Sequence, residues 1–300
     1  MCEKCREKAK EQGISKCRHN LDSVPHFIDE AKFDTIRAIF GSENEREFLI
    51  ETQGLDPDED DPMVFNPEKI KEFINRRVEP HSEIRFLFCT FDPNGGSDRV
   101  GMGKSEFALM VLSAPGNIFF GVEAIDAANP EDYQERVLTT IARILKLPYC
   151  SSAKLVVAVE SGTGMEAGHI NTMMRKRFGD DKVILMTDFT RKHGRAMNNK
   201  VKHDMAMLGR EFLNSGDLAF HPNWVTSHKD PNKLLASLQA QLCSYSRKVK
   251  INRFAKNTEI YSGKGDNKQK RDDLAIAFQE SLLARVDFFR HIKYSKYHSK

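Results

Sequence analysis

Three hundred residues, 30% charged and 40% hydrophobic with a formal net charge of +3, give a chain long enough for one large or two smaller domains and a sizeable core. Mild basicity does not by itself demand a nucleic-acid partner, and no apolar run approaches the roughly 18–20 residues that span a bilayer. The start, Met1-Cys-Glu-Lys-Cys-Arg-Glu-Lys8, lacks the apolar core of a secretory signal, and six cysteines, three of them before His19, do not read as a disulfide framework. A reducing compartment, cytoplasm or nucleus, is expected.

Cys2 and Cys5, then Cys17 and His19, are two close pairs of soft ligands separated by a short loop, a spacing that can surround one structural Zn²⁺. The competing reading is free thiols in a charged terminus. Phe33, Ile36 and Ile39 follow at helical spacing, which predicts a small helical subdomain over 23–54. Residues 56–62, Asp-Pro-Asp-Glu-Asp-Asp-Pro, repel one another and read as an exposed linker. Asn66 as N-cap and Pro67 at the first helical position then open a helix ending near Val78. These pieces make an N-terminal segment over 1–80.

From 81 the pattern changes. Ile84 to Phe91 is an apolar, aromatic-rich run that predicts a buried strand, with Asp92 at its end and a turn forced by Pro93-Asn-Gly-Gly96. Phe107 to Leu112 and Ile118 to Val122 complete a three-strand meander, after which Glu123 and Asp126 follow. Asn129-Pro-Glu-Asp opens a helix with Val137, Ile141 and Ile144 on one face. Ala153 to Val159 reads as a strand of the kind buried in parallel sheets, and Glu160 stands at its carboxyl end. Alone, Asp92 is an ordinary turn residue and Glu160 an ordinary strand end.

A helix is predicted from Gly164 to Phe178, a strand over Val183–Met186, and a basic loop at Arg191-Lys-His-Gly-Arg195. Val201, Met205, Leu208 and Phe212 mark an amphipathic helix with Lys200 and Lys202 in its first turn, and Asn214-Ser-Gly216 stops it. A short strand over Leu218–Phe220 and a helix from Pro231 to Ser244 follow. Residues 259–271 form a polar, basic loop. Asp272-Asp273 then opens a last helix with Leu274, Ala277, Phe278 and Leu282 on one face. One Asp suffices as a cap, so two adjacent ones exceed what capping requires. Residues 293–300 read as a disordered basic tail, which leaves 81–292 as the main domain.

Three antiparallel strands, helix, strand, helix, strand, further helices and a final acid-tipped helix is the layout of an RNase H-like α/β fold, a mixed sheet flanked by helices. In it the first and fourth strands are neighbours, so Asp92 and Glu160 would meet, with Asp272 and Asp273 aimed at them. Two carboxylates about 4 Å apart repel by about 4 kcal/mol at an effective dielectric near 20. Such a cluster calls for a shared cation, and oxygen-only donors select Mg²⁺ or Mn²⁺. Two such ions serve phosphodiester hydrolysis. Lys200, Lys202, Lys264, Lys268, Lys270 and Arg271 are the candidates for holding a DNA backbone.

Several short motifs resemble the C-terminal nuclease half of herpesvirus-type terminase large subunits. Thr90-Phe-Asp-Pro93 is similar to the first catalytic motif, and Val157-Ala-Val-Glu160 to the second. Tyr261-Ser-Gly-Lys264 with Asp272-Asp-Leu274 is similar to the third. Asn199-Lys-Val-Lys202, Phe212-Leu-Asn-Ser-Gly216 and Pro25-His-Phe-Ile28 fit between and before them. The resemblance implies a two-metal endonuclease cutting concatemeric viral DNA, with double-stranded DNA, the terminase ATPase part, other packaging subunits and the portal as partners, in the host nucleus. It implies metal ligation by Asp92, Glu160 and Asp273, with Asp272 a ligand or its hydrogen-bonding support. Asn-Gly-Gly after Pro93 and Ser-Gly after Glu160 depart from the family pattern.

Gly101-Met-Gly-Lys-Ser105 ends like a phosphate-binding loop, but Asp98 occupies its first glycine position and a strand pattern follows where a helix is needed. Nucleotide binding is therefore not expected, and the ATPase of such a motor would lie elsewhere. Two other readings remain at this point: a resolvase- or transposase-type nuclease, and a zinc-stabilised DNA-binding module without activity.

Overall fold

A computed structural model describes residues 63–93, 106–126, 130–160, 165–190, 194–251, 257–262 and 271–298. The chain divides into two units, Met1–Asp61 and Pro62–Lys300. Cys2, Cys5, Cys17 and His19, the 23–54 segment and the acidic run 56–62 lie outside the described residues, as does the 101–105 decoy.

The second unit is built on a six-stranded mixed sheet. Its strands are β1 (Phe86–Asp92), β2 (Phe107–Ala114), β3 (Ile118–Ile125), β4 (Lys154–Val159), β5 (Val183–Leu185) and β6 (Ala219–Val225). They lie in the order β5-β4-β1-β2-β3-β6. β2 runs antiparallel between β1 and β3, while β4 is parallel to β1 and β5 is parallel to β4. That order and those directions are the RNase H-like sheet, extended at one edge by β6, which runs parallel to β3.

Helices cover both faces. They are α1 (Pro67–Asn75), α2 (Pro130–Ile144), α3 (Met165–Phe178), α4 (Thr187–Thr190), α5 (Asn199–Ser215), α6 (Pro231–Cys243) and α7 (Asp273–His298). The period of two along a strand splits the core. Leu87, Cys89 and Phe91 of β1 and Leu155, Val157 and Val159 of β4 pack with α2 and α3 residues such as Val137, Ile141, Ile170 and Met174. Phe88 and Val156, Ala158 pack on the opposite side with Met205, Leu238 and the α7 residues Leu274, Phe278 and Phe288. Asp92 and Glu160 fall on this second side, one pleat beyond Thr90 and Ala158.

The first half of α7 is buried on every side, from Leu274 to Leu282, with the polar residues Gln279, Glu280 and Ser281 included. Phe278 packs against Phe73 of α1 and Phe119 of β3, and Thr90 Oγ1 lies 3.1 Å from the Ala277 carbonyl oxygen. α1 therefore belongs to this core, stacked on Phe220 of β6 through Phe73.

Several boundaries differ from the sequence-based expectations. β3 runs on through Ile125, so Glu123 lies inside it and is fully buried. Thr140 Oγ1, Ser227 Oγ and the Ser227 N–H donate to its carboxyl oxygens, which is what makes burying this polar side chain tolerable. β6 extends to Val225 rather than ending at Phe220. A hairpin, β7 (Ser246–Ile251) with β8 (Asn257–Ser262), occupies part of what reads as loop. α7 continues to His298 where a disordered tail is predicted.

Candidate metal centre

β1 and β4 are paired residue for residue, Phe91 opposite Val159, and the Glu160 N–H donates to the Phe91 carbonyl at 2.8 Å. Asp92 and Glu160 therefore leave the sheet side by side, at the carboxyl ends of adjacent parallel strands. This is where open α/β sheets carry their sites. Asp272 and Asp273 stand at the start of α7, the helix lying on that same face.

The first amide groups of α7 find a side-chain acceptor on another helix. The N–H groups of Leu274 and Ala275 donate to Gln241 Oε1 of α6, at 2.8 and 3.2 Å. Gln241 thus takes the orphan donors of the first turn. The Asp carboxylates are held from elsewhere. The Glu106 N–H donates to Asp273 Oδ2 at 3.0 Å, and Ser262 Oγ, at the end of β8, reaches Asp272 Oδ2 at 3.4 Å. Both Asp side chains are buried, as is Asp92.

The electrostatics follow from that convergence. Burial pushes the Asp92 carboxyl well above its ordinary value, and the charges of Glu160, Asp273 and Asp272 push it further. Asp92 is held in hydrogen-bond contact with Glu160. Burial also raises Glu160, against the opposing pull of the Lys202 ammonium. Acids of three elements thus repel one another here, which disfavours the charged forms of Asp92 and Glu160.

Among the described residues no three Asp, Glu, His or Cys side chains already surround an ion-sized point. Asp92 and Glu160 face one another instead. The donor set nevertheless fits a hard divalent cation. It is all oxygen, it is crowded with negative charge, and its only cost as it stands is a cost that a cation removes. Among the described residues, nitrogen and sulfur donors of the kind zinc prefers do not enter it.

The remaining predicted residues divide. Lys202, half-buried on the first turn of α5, faces Glu160, and Lys200 is exposed on the same turn. Arg271 is drawn into an ion pair with Glu106, and its other nitrogen lies 3.8 Å from Asp126 Oδ2. Lys264, Lys268 and Lys270 lie outside the described residues. Gln241 and Glu106 carry no local signal that ties them to the site, being 33 residues before Leu274 and 167 before Asp273.

No family model matches this sequence, and no curated protein matches it. Solved structures do resemble the fold. The human cytomegalovirus terminase nuclease domain, soaked with Mn and bound to an inhibitor, aligns with a TM-score of 0.49 at 16% identity, covering 73% of this chain and 93% of that one. The nuclease domain of the large terminase subunit gp2 of bacterial virus Sf6 aligns at 0.45 with 13% identity, covering 73% and 98%. The HK97 bacteriophage large terminase aligns at 0.40 with 12% identity, covering 86% of this chain and 51% of that one. Residue roles do not transfer at such identities, so the site rests on its own geometry.

Proposed function

We propose that this protein is a metal-dependent endonuclease, the DNA-cutting part of a viral genome-packaging terminase. The observation that carries the reading is the convergence of Asp92, Glu160, Asp272 and Asp273 from two strand ends and one helix start, crowded enough that burial and the neighbouring charges disfavour the ionised form of Asp92. Motifs resembling those of terminase nucleases, in the same order along the chain, support the packaging assignment over other RNase H-like nucleases.

Asp92, Glu160 and Asp273 are the residues that would hold the cations, and Asp272 either joins them or braces Asp273. A pair of Mg²⁺ or Mn²⁺ ions bound there supplies an activated water and charge to steady the leaving oxygen. Lys202 places a cation beside Glu160, where it offsets the cluster's charge and meets an incoming phosphate. Lys200, with Lys264, Lys268 and Lys270 of the basic loop, holds the duplex backbone through charge alone, so cutting should weaken steeply with salt. Arg271 contributes less, because Glu106 already neutralises it.

The substrate on this reading is concatemeric viral DNA, met in the host nucleus together with the ATPase part and the portal. Cys2, Cys5, Cys17 and His19 would carry a structural Zn²⁺ that takes no part in cutting. Metal analysis of Cys5→Ser and Cys17→Ser variants tests this, and unchanged zinc content removes the claim.

The test of the main reading is nicking of supercoiled plasmid in Mn²⁺ or Mg²⁺. Asp92→Asn and Glu160→Gln are near-isosteric. Each should lower the rate by more than about a hundredfold, beyond the 10–100-fold typical of losing a residue that merely supports a ligand. A folded double variant that cuts like wild type would overturn the assignment.

A further inference from the structure

Arg195, read from the sequence as part of a basic loop, has a different place in the fold. Its backbone forms a parallel bridge with Glu160, and its N–H donates to the Val159 carbonyl at 2.9 Å. β5 ends at Leu185, so this short segment takes over as the neighbour of β4 where Glu160 emerges. The side chain turns towards α7. Nε donates to Glu280 Oε1 at 3.0 Å and Nη2 to Asp287 Oδ2 at 2.8 Å.

The two carboxylates lie on the helix face that carries Asp273. Positions 273, 280 and 287 are spaced by seven, two turns each, or about 10 Å of helix per step. One guanidinium therefore joins the backbone that presents Glu160 to the helix that presents Asp272 and Asp273. Packing does not fix this corner unaided. A cavity of about 310 Å³ runs alongside, with Val159, Met186, Val201 and Glu280 in its wall. Arg195 is itself only 21% exposed and Glu280 1%, so the contact is shielded from water and its geometry is restrictive. Glu280 Oε2 has no hydrogen-bond partner among the described residues, which leaves Arg195 as the group that holds that carboxyl.

We propose that Arg195 is a positioning residue: its bridge to Glu280 and Asp287 sets the separation between Glu160 and the Asp272–Asp273 pair, and so the affinity of the site for divalent cations. This rests on the metal-dependent reading given above. Arg195 does not touch the reacting phosphate. Its planar fork can serve two acceptors at once, which a lysine ammonium on a flexible stem does poorly.

The experiment is calorimetric titration of the full chain with Mn²⁺, alongside nicking kinetics at varied Mn²⁺ and varied DNA. Arg195→Lys and Glu280→Gln are the test variants. Both nearly keep side-chain volume, and Glu280→Gln removes the charge that makes the contact with Nε a bridge, a second route if the lysine variant folds poorly. Each should weaken Mn²⁺ binding by roughly 10–100-fold, the usual cost of losing a residue that orients ligands. Excess Mn²⁺ should recover much of kcat, and KM for DNA should stay within about twofold. The double variant should be little worse than either single one, because both remove the same bridge. Mn²⁺ affinities within about twofold of wild type in both single variants would overturn the proposal while leaving the nuclease reading intact. A wild-type chain that binds no Mn²⁺ and matches Asp92→Asn in titration would overturn the metal reading, and this proposal with it.

Discussion

The two halves of the acid cluster are held in different ways. Asp92 and Glu160 are placed by backbone alone. The parallel register of β1 and β4 puts them abreast, and no side chain is needed to do so. Asp272 and Asp273 are placed by side chains and loops from distant parts of the chain. Gln241 caps their helix, the Glu106 N–H holds one carboxylate and Ser262 steadies the other. The strand half should therefore be rigid and hard to perturb except by changing the acids themselves. The helix half should be tunable from a distance.

The sharpest break in that comparison comes at the strand half. Asp92→Asn should abolish cutting and yet raise the melting temperature of the metal-free protein, because it removes a buried acid that Glu160, Asp272 and Asp273 all disfavour in its charged form. Loss of activity with a lower melting temperature would mean that Asp92 serves the fold. Next comes the anchor of the helix half. Phe278 is fully buried between Phe73 and Phe119, and Phe278→Ala should cost about 3–5 kcal/mol in chemical denaturation. A cost below about 1 kcal/mol would show that α7 is not seated as described. Smaller again is Gln241→Leu. It leaves the Leu274 and Ala275 N–H groups without their acceptor, at about 1–3 kcal/mol, and should also weaken Mn²⁺ binding. A stability loss with unchanged Mn²⁺ affinity would separate the cap from the site.

The same contrast explains what the sequence could and could not reveal. Asp92 and Glu160 were legible because strand order and strand ends follow from local apolar runs, and the fold then makes them neighbours. The Asp272–Asp273 pair was legible as a surplus over one cap. That the cap is Gln241 was not, because nothing near either residue encodes a contact 33 residues away. Glu123 looked like a residue beyond the strand because a charge normally ends one. Its partners Thr140, Thr226 and Ser227 lie 17, 103 and 104 residues away, and only they make its burial tolerable. Arg195 looked like one more cation of a basic loop. Its acceptors sit on α7, where Glu280 interrupts an apolar run, a signal that points to a buried pair without naming the partner. The β7–β8 hairpin was missed because Ser246-Arg-Lys-Val-Lys-Ile251 reads as polar surface, and a two-stranded ribbon has little core of its own.

The smallest expected effect is also the one that separates the buried acids from the cation they await. Burial raises Glu280 to about 7, and it raises Asp92 and Glu160 as well. A carboxyl raised by folding keeps a proton that the unfolded chain gives up. Its stabilising contribution is complete below the unfolded values, 3.8 for Asp and 4.5 for Glu, and is lost as pH climbs through the folded ones. In EDTA the melting temperature should therefore fall by a few degrees between about pH 5 and 8, on the order of 1 kcal/mol. Saturating Mn²⁺ should reverse the slope, since the ion binds ionised carboxylates and its stabilisation grows as protons leave. Glu280→Gln should flatten the part of the EDTA curve between 4.5 and about 7, and the Mn²⁺-induced rise should survive but need more Mn²⁺. Asp92→Asn should remove that rise. A slope in EDTA that Mn²⁺ leaves unchanged would mean that the acids titrate as a buried cluster and do not gather around an ion.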